Sequence, residues 1–369
     1  MNILVYDIAA ESGGALSILT DFYDQVCNLH DDNNIWYFVL SVPKLENQKN
    51  IRITQYPWVK RGIIFRLWFE FVQTRKIIKK YKIDVVISLQ NTTIPFCNKP
   101  QIVSLHNTLP FFRCDLSVMS GMKSVVKQYF INKNIIRSLK AAHSIMVPAN
   151  WIKDLCHKQY KVNENKIYVL PVKIDANNIQ TCTDLNMANK TFFYPAAAQP
   201  YKRHMMILKA CKEIKSKNID FNVVFTITGA ENAYAVKLKE YSKINDLNVV
   251  FVGMLRRQEV LEYYTKSVLL FPSIIETDAL PLEEAKSSNS FIFASKSPFS
   301  QEILMDYANC EFFQDGDYKK LSLLLEDMIL GKFDLNVSKC KAVRINTMNR
   351  AELCLAIFNE NYNKNIELN

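Results

Sequence analysis

Several common signatures are missing from this sequence of 369 residues. No segment reaches the run of about 18 uncharged apolar residues that a membrane-spanning helix needs. The N-terminal residues indicate a strand with an early acid, Asp7, rather than the basic and then apolar regions of a signal peptide. The nine cysteines include no Cys-x-x-Cys pair. We therefore expect reduced thiols in a cytoplasmic protein, and neither a disulfide framework nor a zinc site.

Signatures of metal and nucleic-acid binding are missing as well. His30, His143, His157 and His204 have neither metal-ligand spacing nor a shared face. No helix-turn-helix, zinc or aromatic–basic sheet pattern accompanies the basic residues. We therefore predict no bound metal, no cofactor and no nucleic-acid partner.

The excess positive charge is confined to one half of the chain. Residues 1–180 hold 23 Lys and Arg against 13 Asp and Glu, whereas residues 181–369 hold 23 of each. Such asymmetry favours a polyanionic surface as partner, and an anionic membrane fits better than nucleic acid. A solubilising bias without any partner is the alternative.

Residues 61–82 combine aromatic and basic side chains at helical spacing. They predict either a helix at the membrane surface, with its aromatics among the lipid headgroups, or a core helix with a solvated basic face. A mixture of the two is also open. The basic residues expected to face lipid are Arg75, Lys76, Lys79, Lys80 and Lys82, followed by Lys123, Lys127 and Lys133.

Apolar runs alternate with helical patterns along the chain, which predicts an α/β fold with two doubly wound parallel sheets. Residues 173–190 lack apolar periodicity and indicate the linker. The first sheet is expected to use strands at about 2–7, 35–40, 84–88, 101–105, 144–148 and 167–170. The second is expected to use strands at about 192–195, 222–228, 249–252, 268–271 and 291–294. Helices are expected at about 16–29, 65–81, 123–140, 151–160, 203–217, 232–243, 257–266, 282–287, 318–330 and 348–361.

The most informative stretch is FPSIIETDALPLEEAK, residues 271–286. A buried strand ends at its first residue, Pro272 stops the apolar run, and a short loop carries Glu276. Pro281 sits where the first turn of a helix tolerates proline, and Glu284 follows inside that helix. Ligands of open α/β sheets bind at such junctions. An ordinary loop with two solvated acids is the alternative.

This junction resembles the retaining GT-B glycosyltransferases of family four, whose signature is E-x(7)-E within E-G-F-G-L-P-L-x-E-A. The resemblance implies two Rossmann-like domains facing a cleft, with acceptors bound by residues 1–175 and the nucleotide sugar by residues 190–345. A C-terminal helix within 346–369 would pack back on the N-terminal domain. The implied reaction moves a hexosyl group from a nucleotide diphosphate sugar, with retention at the anomeric carbon and without a metal.

By the same resemblance, Glu276 holds sugar hydroxyls and Glu284 holds the nucleotide ribose. The loop and helix start between them supply four further candidates for donor binding: Thr277, Asp278, Ala279 and Leu280. Thr277 and Ala279 stand where the family has glycines that let backbone amides approach phosphates. A positive φ at either residue would cost roughly 1–2 kcal/mol without glycine.

The first strand of the second domain is followed by Lys202 and Arg203 at a helix start. A lysine there opposes the helix macrodipole, so an anionic ligand at that N-terminus explains its presence. The resemblance implies that Lys202 stabilises the departing diphosphate. The family's arginine five residues earlier is Ala197 here. We expect Arg203 to replace it, or with less support Arg256 or Arg257; a solvated Arg203 is the alternative.

In the first domain, Gly13 and Gly14 precede a helix and let backbone approach a ligand, although a plain turn is the alternative. His106 ends a strand, where a lone histidine is more often structural. The resemblance nevertheless places both features at the site, with His106 beside the donor sugar. Residues 315–317, Asp-Gly-Asp, mimic a metal motif of another glycosyltransferase fold and indicate a turn away from the site.

Bacterial members of this family build surface polysaccharides such as lipopolysaccharide or capsule. The resemblance therefore implies a glycan or lipid-linked acceptor, and a cytoplasmic protein attached peripherally to the inner face of the membrane.

Two other function classes stay open. A nucleotide-sugar epimerase or phosphorylase of the same fold would give different products, and an epimerase would need no acceptor. A non-catalytic scaffold at the membrane would not need Glu276, Glu284 and Lys202 together.

Overall fold

The computed structural model of the protein describes residues 1–113, 119, 121–171, 190–215, 217, 219–333 and 348–367, with side chains up to residue 359. The chain forms two compact units. The first comprises Met1–Phe111, Phe130–Pro171 and Asn346–Asn369, and the second comprises Phe112–Tyr129 and Val172–Ile345. The expected linker, 173–190, lies outside the described residues except for residue 190.

The first unit is built on a seven-stranded parallel sheet. Its strands are β1 (Asn2–Asp7), β2 (Ile35–Leu40), β3 (Ile51–Gln55), β4 (Val85–Ser88), β5 (Gln101–Ser104), β6 (Ser144–Val147) and β7 (Ile167–Val169). They lie in the order β3-β2-β1-β4-β5-β6-β7, so the strand order reverses between β1 and β4. The central strands β4 and β5 are buried at every residue, which explains why most of their residues are apolar.

The second unit is built on a six-stranded parallel sheet. Its strands are β8 (Thr191–Tyr194), β9 (Asn222–Phe225), β10 (Val249–Phe251), β11 (Val268–Phe271), β12 (Ile292–Ser295) and β13 (Cys310–Phe313). They lie in the order β10-β9-β8-β11-β12-β13, with the reversal between β8 and β11. Two doubly wound parallel sheets are therefore present, as the sequence predicts.

Helices connect the strands of both sheets. They are α1 (Gly13–Asn28), α2 (Ile63–Trp68), α3 (Thr74–Lys80), α4 (Met122–Ala141), α5 (Asn150–Tyr160), α6 (His204–Lys215), α7 (Ala233–Ile244), α8 (Arg257–Thr265), α9 (Leu280–Ser287), α10 (Pro298–Ile303), α11 (Tyr318–Ile329) and α12 (Arg350–Glu367). A π-helical segment, Phe69–Gln73, joins α2 to α3, so the helix expected at 65–81 is continuous.

The last helix, α12, packs in the core of the first unit. Its buried residues Cys354, Ile357 and Phe358 belong to the same apolar cluster as Phe22 of α1. The side chain of Gln25 accepts hydrogen bonds from the first backbone amides of α12, at 3.0 and 3.3 Å. This polar cap satisfies helix donors that would otherwise lack partners.

Among the strands and α-helices of the described residues, three were not predicted: the edge strands β3 and β13 and the short helix α10. An edge strand pairs on one side only, and both of these strands are partly exposed, so neither has an unbroken apolar run. The strand expected at 222–228 ends at Phe225, because the following residues form a loop. The helix expected from Leu282 begins two residues earlier, at Leu280.

Candidate active site

The strand-order reversal in the second unit brings two loops together. The strands β8 and β11 are neighbours, pairing Val268 with Phe192, and the loop after each one leaves the same edge of the sheet. The backbone amide of Ile274 in one loop donates to the carbonyl of Tyr201 in the other at 3.1 Å. Carboxyl ends of strands at such a reversal are where ligands of doubly wound sheets bind.

An ion pair between Lys202 and Glu276 lies where these loops meet. The Nζ of Lys202 donates to Oε1 of Glu276 at 2.5 Å, and the two side chains are 18% and 11% exposed. The hydroxyl of buried Tyr194 donates to the carbonyl of Lys202 at 2.8 Å, which holds the loop in place. Burial, and then the charge of Glu276, raises the pKa of Tyr194 well above its usual value. Tyr194 is therefore a neutral hydrogen-bond donor.

The second glutamate of the signature has different partners. Glu284 is buried in α9, and its carboxylate accepts hydrogen bonds from the guanidinium of Arg257 and from the hydroxyl of Tyr264. Burial, followed by the charge of Glu284, raises the pKa of Tyr264 well above its usual value. The side chain of Arg257 is 60% exposed, so it contacts solvent as well as the buried carboxylate of Glu284.

The family has an arginine where this chain has Ala197, and three arginines were expected to replace it. These three contact different residues. Arg203 forms two hydrogen bonds with the carboxylate of Asp315, at 3.0 and 2.9 Å. Arg256 pairs with Glu259 at the start of α8 and is 85% exposed. Arg257 contacts Glu284, the second residue of the glutamate signature.

The expected turn at residues 315–317 is present, but it is not remote from the candidate residues. Asp317 caps α11 by accepting a hydrogen bond from the amide of Lys320 at 2.9 Å. Asp315 binds Arg203, which is one of the candidate residues for donor binding. The two residues are 112 positions apart in the sequence, and only the sheet topology brings them together.

The loop between the two glutamates keeps a glycine-like conformation without glycine. Ala279 is the N-cap of α9 and has a φ of 42° and a ψ of 43°, in the left-handed region. Thr277 and Asp278 lie in the loop before it, and Leu280 is the first residue of the helix. Ala279 therefore adopts a conformation that favours glycine, at an energetic cost.

In the first unit, a glycine pair follows β1. Gly13 has a φ of 60°, and a Cβ atom on either Gly13 or Gly14 would meet no atom within 4 Å. Asp7 shapes the approach to this pair, because its carboxylate accepts hydrogen bonds from the amides of Ala9 and Ala10 at 3.1 and 2.9 Å. Burial raises the pKa of Asp7 to about 6. No pattern in the sequence indicates this role for Asp7.

His106 follows β5 at the same edge of the first sheet. Its backbone amide donates to the side chain of Asn91 at 2.5 Å. Burial, and then the charge of Arg350 at the start of α12, lowers the pKa of His106 to about 3. His106 is therefore uncharged at neutral pH, so its imidazole can offer a hydrogen bond but no positive charge.

The described residues lack two kinds of feature. They contain no group of three or more His, Cys, Asp or Glu side chains arranged to hold a metal ion. Among them, no helix is long and apolar enough to cross a membrane.

Two protein-family models together match most of the chain. Residues 176–347 match the family described as glycosyl transferases group 1. Residues 28–178 match the family described as glycosyltransferase family 4. The chain is also 22% identical over 302 residues to the O-antigen chain mannosyltransferase RfbU of Salmonella typhimurium, covering 80% of this chain and 78% of that protein.

Solved structures show the same architecture. HepE of Anabaena in complex with UDP superposes with a TM-score of 0.62 and 14% identity, over 91% of this chain and 92% of that one. The lipopolysaccharide outer core galactosyltransferase WaaB superposes with a TM-score of 0.61 and 15% identity, over 90% and 91%. Together with the two parallel sheets and the family matches, these similarities confirm the GT-B fold.

Proposed function

We propose that this chain, which belongs to the glycosyltransferases of family 4, moves a sugar from a nucleotide diphosphate sugar to a glycan or lipid-linked oligosaccharide acceptor. The observation that carries this proposal is the ion pair of Lys202 and Glu276 at the reversal of strand order. An ammonium beside a carboxylate offers a donor sugar two complementary contacts: a cation for the diphosphate and an anion for sugar hydroxyls.

The proposed roles follow from charge and position. Lys202 stabilises the diphosphate as negative charge grows on the leaving group, and preorganised charges of this kind typically contribute several kcal/mol. Glu276 binds sugar hydroxyls beside the cationic transition state. Glu284 binds the ribose, and Arg257 supplies the second cation that Ala197 cannot. Neutral His106 is proposed to act as a hydrogen-bonding group.

Two finer features belong to the same proposal. The reaction retains the anomeric configuration, and no metal is needed, because Lys202 and backbone amides of the loop before α9 neutralise the leaving group. The support for both is the arrangement of charges together with the family signature.

The proposed acceptor is a precursor of a bacterial surface polysaccharide. The names of two similar proteins support this choice, one an O-antigen mannosyltransferase and the other an outer core galactosyltransferase. Such acceptors are often lipid-linked, so the protein is proposed to work at the inner face of the membrane. The net charge of +10 on residues 1–180 supports attraction to anionic lipid there.

A panel of nucleotide sugars tests the donor. A donor present at 100 times its dissociation constant adds about 2.7 kcal/mol to the free energy of unfolding, which a thermal shift detects. The same donors are then incubated with oligosaccharide acceptors, and the anomeric configuration of the product is read by NMR. No stabilisation and no transfer with any donor would contradict the proposal. An inverted product, or loss of activity to a chelator with rescue by manganese, would contradict only the finer features.

A further inference from the structure

One stripe of side chains runs along the continuous helix formed by α2, the π-helical segment and α3. Its exposed members recur every three or four residues: Ile64, Trp68, Phe71, Arg75 and Lys79. Lys82 follows just after the end of α3. Ile64, Trp68 and Phe71 are 76%, 47% and 36% exposed. The stripe is therefore apolar over its first half and basic over its second half. The opposite face, with Phe69 and Ile77, is buried in the core.

The basic half of the stripe borders a cavity of about 730 Å³. Four of its lining residues are cationic: Arg75, Lys79, Lys82 and Lys99. Within the described residues, none of these four forms a salt bridge. The one lining carboxylate, Asp84, accepts a hydrogen bond from the amide of Asn2 at 2.8 Å. The cavity therefore has uncompensated positive charge.

Phe96 connects the cavity to the apolar half of the stripe. It lines the cavity, is 70% exposed, and lies with its ring centroid 5.9 Å from that of Phe71. The guanidinium of Arg75 sits 5.4 Å from the centre of the same ring. Apolar and cationic groups thus form one continuous surface.

The cavity lies at the opposite edge of the sheet from the candidate active-site residues of this unit. Asp84 immediately precedes β4, and Lys99 lies just before β5, so both are at the amino ends of parallel strands. Gly13 follows the carboxyl end of β1, and His106 that of β5. The cavity is therefore distinct from the glycine loop and the histidine.

We propose that this cavity binds the phosphate of an anionic phospholipid headgroup, while Ile63, Ile64 and Trp68 enter the boundary between headgroups and acyl chains. This inference rests on the membrane attachment proposed above, and it is independent of the sugar chemistry. Basic pockets bind anionic headgroups, and apolar faces of surface helices insert beside them. Free phosphate would use the cations but leave the apolar half of the stripe uncovered.

The first measurement uses the full chain and sedimentation with vesicles. Phosphatidylcholine vesicles are compared with vesicles that also contain phosphatidylglycerol, at 0.1 M and 1 M salt. We expect binding to the anionic vesicles at low salt. Part of this binding should survive 1 M salt, because screening weakens the charge contribution but not apolar insertion. Inorganic phosphate at millimolar concentration should not compete.

Charge variants test the cavity. Arg75→Ala combined with Lys79→Ala should weaken binding to anionic vesicles about 30-fold, since each cation near the surface contributes about 1 kcal/mol. The control combines Lys44→Ala with Lys140→Ala, two exposed lysines of the first unit outside the cavity and the stripe. It removes the same charge and should weaken binding far less.

Apolar variants test insertion. Ile63→Ser combined with Ile64→Ser should lower binding roughly tenfold and remove the part that survives 1 M salt. The control replaces Ile244 and Met305 of the second unit by serine, because their exposures of 82% and 69% are close to those of Ile64 and Ile63, 76% and 69%. The control should bind like the wild type.

Several results would overturn the inference. Equal losses in the two charge variants would mean diffuse attraction without a cavity site, and the proposed attachment would stand. Competition by phosphate would assign the cavity to a soluble anion. A dimer that dissociates in Ile63→Ser/Ile64→Ser would assign the apolar surface to a second copy of the chain. Failure of the wild type to bind any vesicle would overturn the attachment itself, whereas transfer to a soluble acceptor would still test the glycosyltransferase proposal.

Discussion

The ammonium of Lys202 and the carboxylate of Glu276 lie 2.5 Å apart, although 74 positions separate them in the sequence. Each follows one of two neighbouring strands, β8 and β11, at the reversal of strand order. The two charges are mostly buried, so each one depends on the other for compensation. A substitution at either position therefore changes the environment of both.

Lys202→Ala should weaken binding of nucleotide diphosphates about 10- to 100-fold. The reason is the loss of a hydrogen bond from a charged group, which contributes about 1.5–3 kcal/mol. Titration calorimetry with the donor found by the nucleotide-sugar panel measures this loss. The control is Lys212→Ala, which removes an exposed lysine on helix α6, the helix that follows Lys202. Unchanged donor affinity in a folded Lys202→Ala protein would remove Lys202 from the donor site.

Glu276→Gln should mainly lower turnover, whereas Glu284→Gln should mainly weaken nucleotide binding and stability. The amide at 276 keeps the shape but loses the charge beside the transition state, so turnover should fall about 10²-fold or more. The amide at 284 cannot accept from both Arg257 and Tyr264 as the carboxylate does. It should weaken nucleotide binding and lower the free energy of unfolding by about 1–3 kcal/mol. Steady-state kinetics and denaturant unfolding of both variants separate these effects. Wild-type kinetics in both would leave the glutamate pair without a catalytic or binding role.

Ala279→Gly should stabilise the protein by about 0.5–1 kcal/mol. Alanine in the left-handed region is strained by its Cβ, and glycine removes that strain at some cost in chain entropy. Denaturant unfolding measures the change. Ala285→Gly, in the interior of the same helix, is the control and should destabilise, since glycine is unfavourable inside a helix and a buried methyl is lost. A destabilised Ala279→Gly protein would show that the methyl of Ala279 packs favourably enough to offset its strain.

His106 should stay neutral from pH 5 to pH 8, because its pKa is lowered to about 3. The unfolded chain binds a proton to this residue below about pH 6.5, whereas the folded chain does not. This histidine therefore contributes stability above pH 6.5, and that contribution is lost as the pH falls towards 3, by about 1.4 kcal/mol per unit. His106→Asn should show a correspondingly shallower loss of stability between pH 6.5 and pH 4. An imidazole NMR titration with a midpoint near 6.5 would contradict this prediction.

The central strands and most helices could be predicted from sequence because burial leaves a strong pattern. A strand buried on both faces can be apolar throughout, as β11 is. The edge strands β3 and β13 carry polar residues and give no such run. The helix α10 did leave a signal, since Ser297 and Pro298 form a typical N-cap and first turn.

The candidate site was predicted only in part. The signature and the resemblance indicated Lys202, Glu276, Glu284 and His106 as candidate site residues. They could not point to Asp315 as partner of Arg203, or to Tyr264 as partner of Glu284, since no local pattern links residues so far apart. The preference for Arg257 over Arg203 likewise depends on which carboxylate each arginine contacts.

The sequence by itself determined the fold class, the position of the glutamate signature and the uneven charge, because each depends on local composition or periodicity. Tertiary structure alone decided which charges meet and which side chains stay exposed. It paired Lys202 with Glu276 by placing β8 beside β11. It also left the outer stripe of α2 and α3 exposed while burying Phe69, because packing against the sheet covers only one side of a helix.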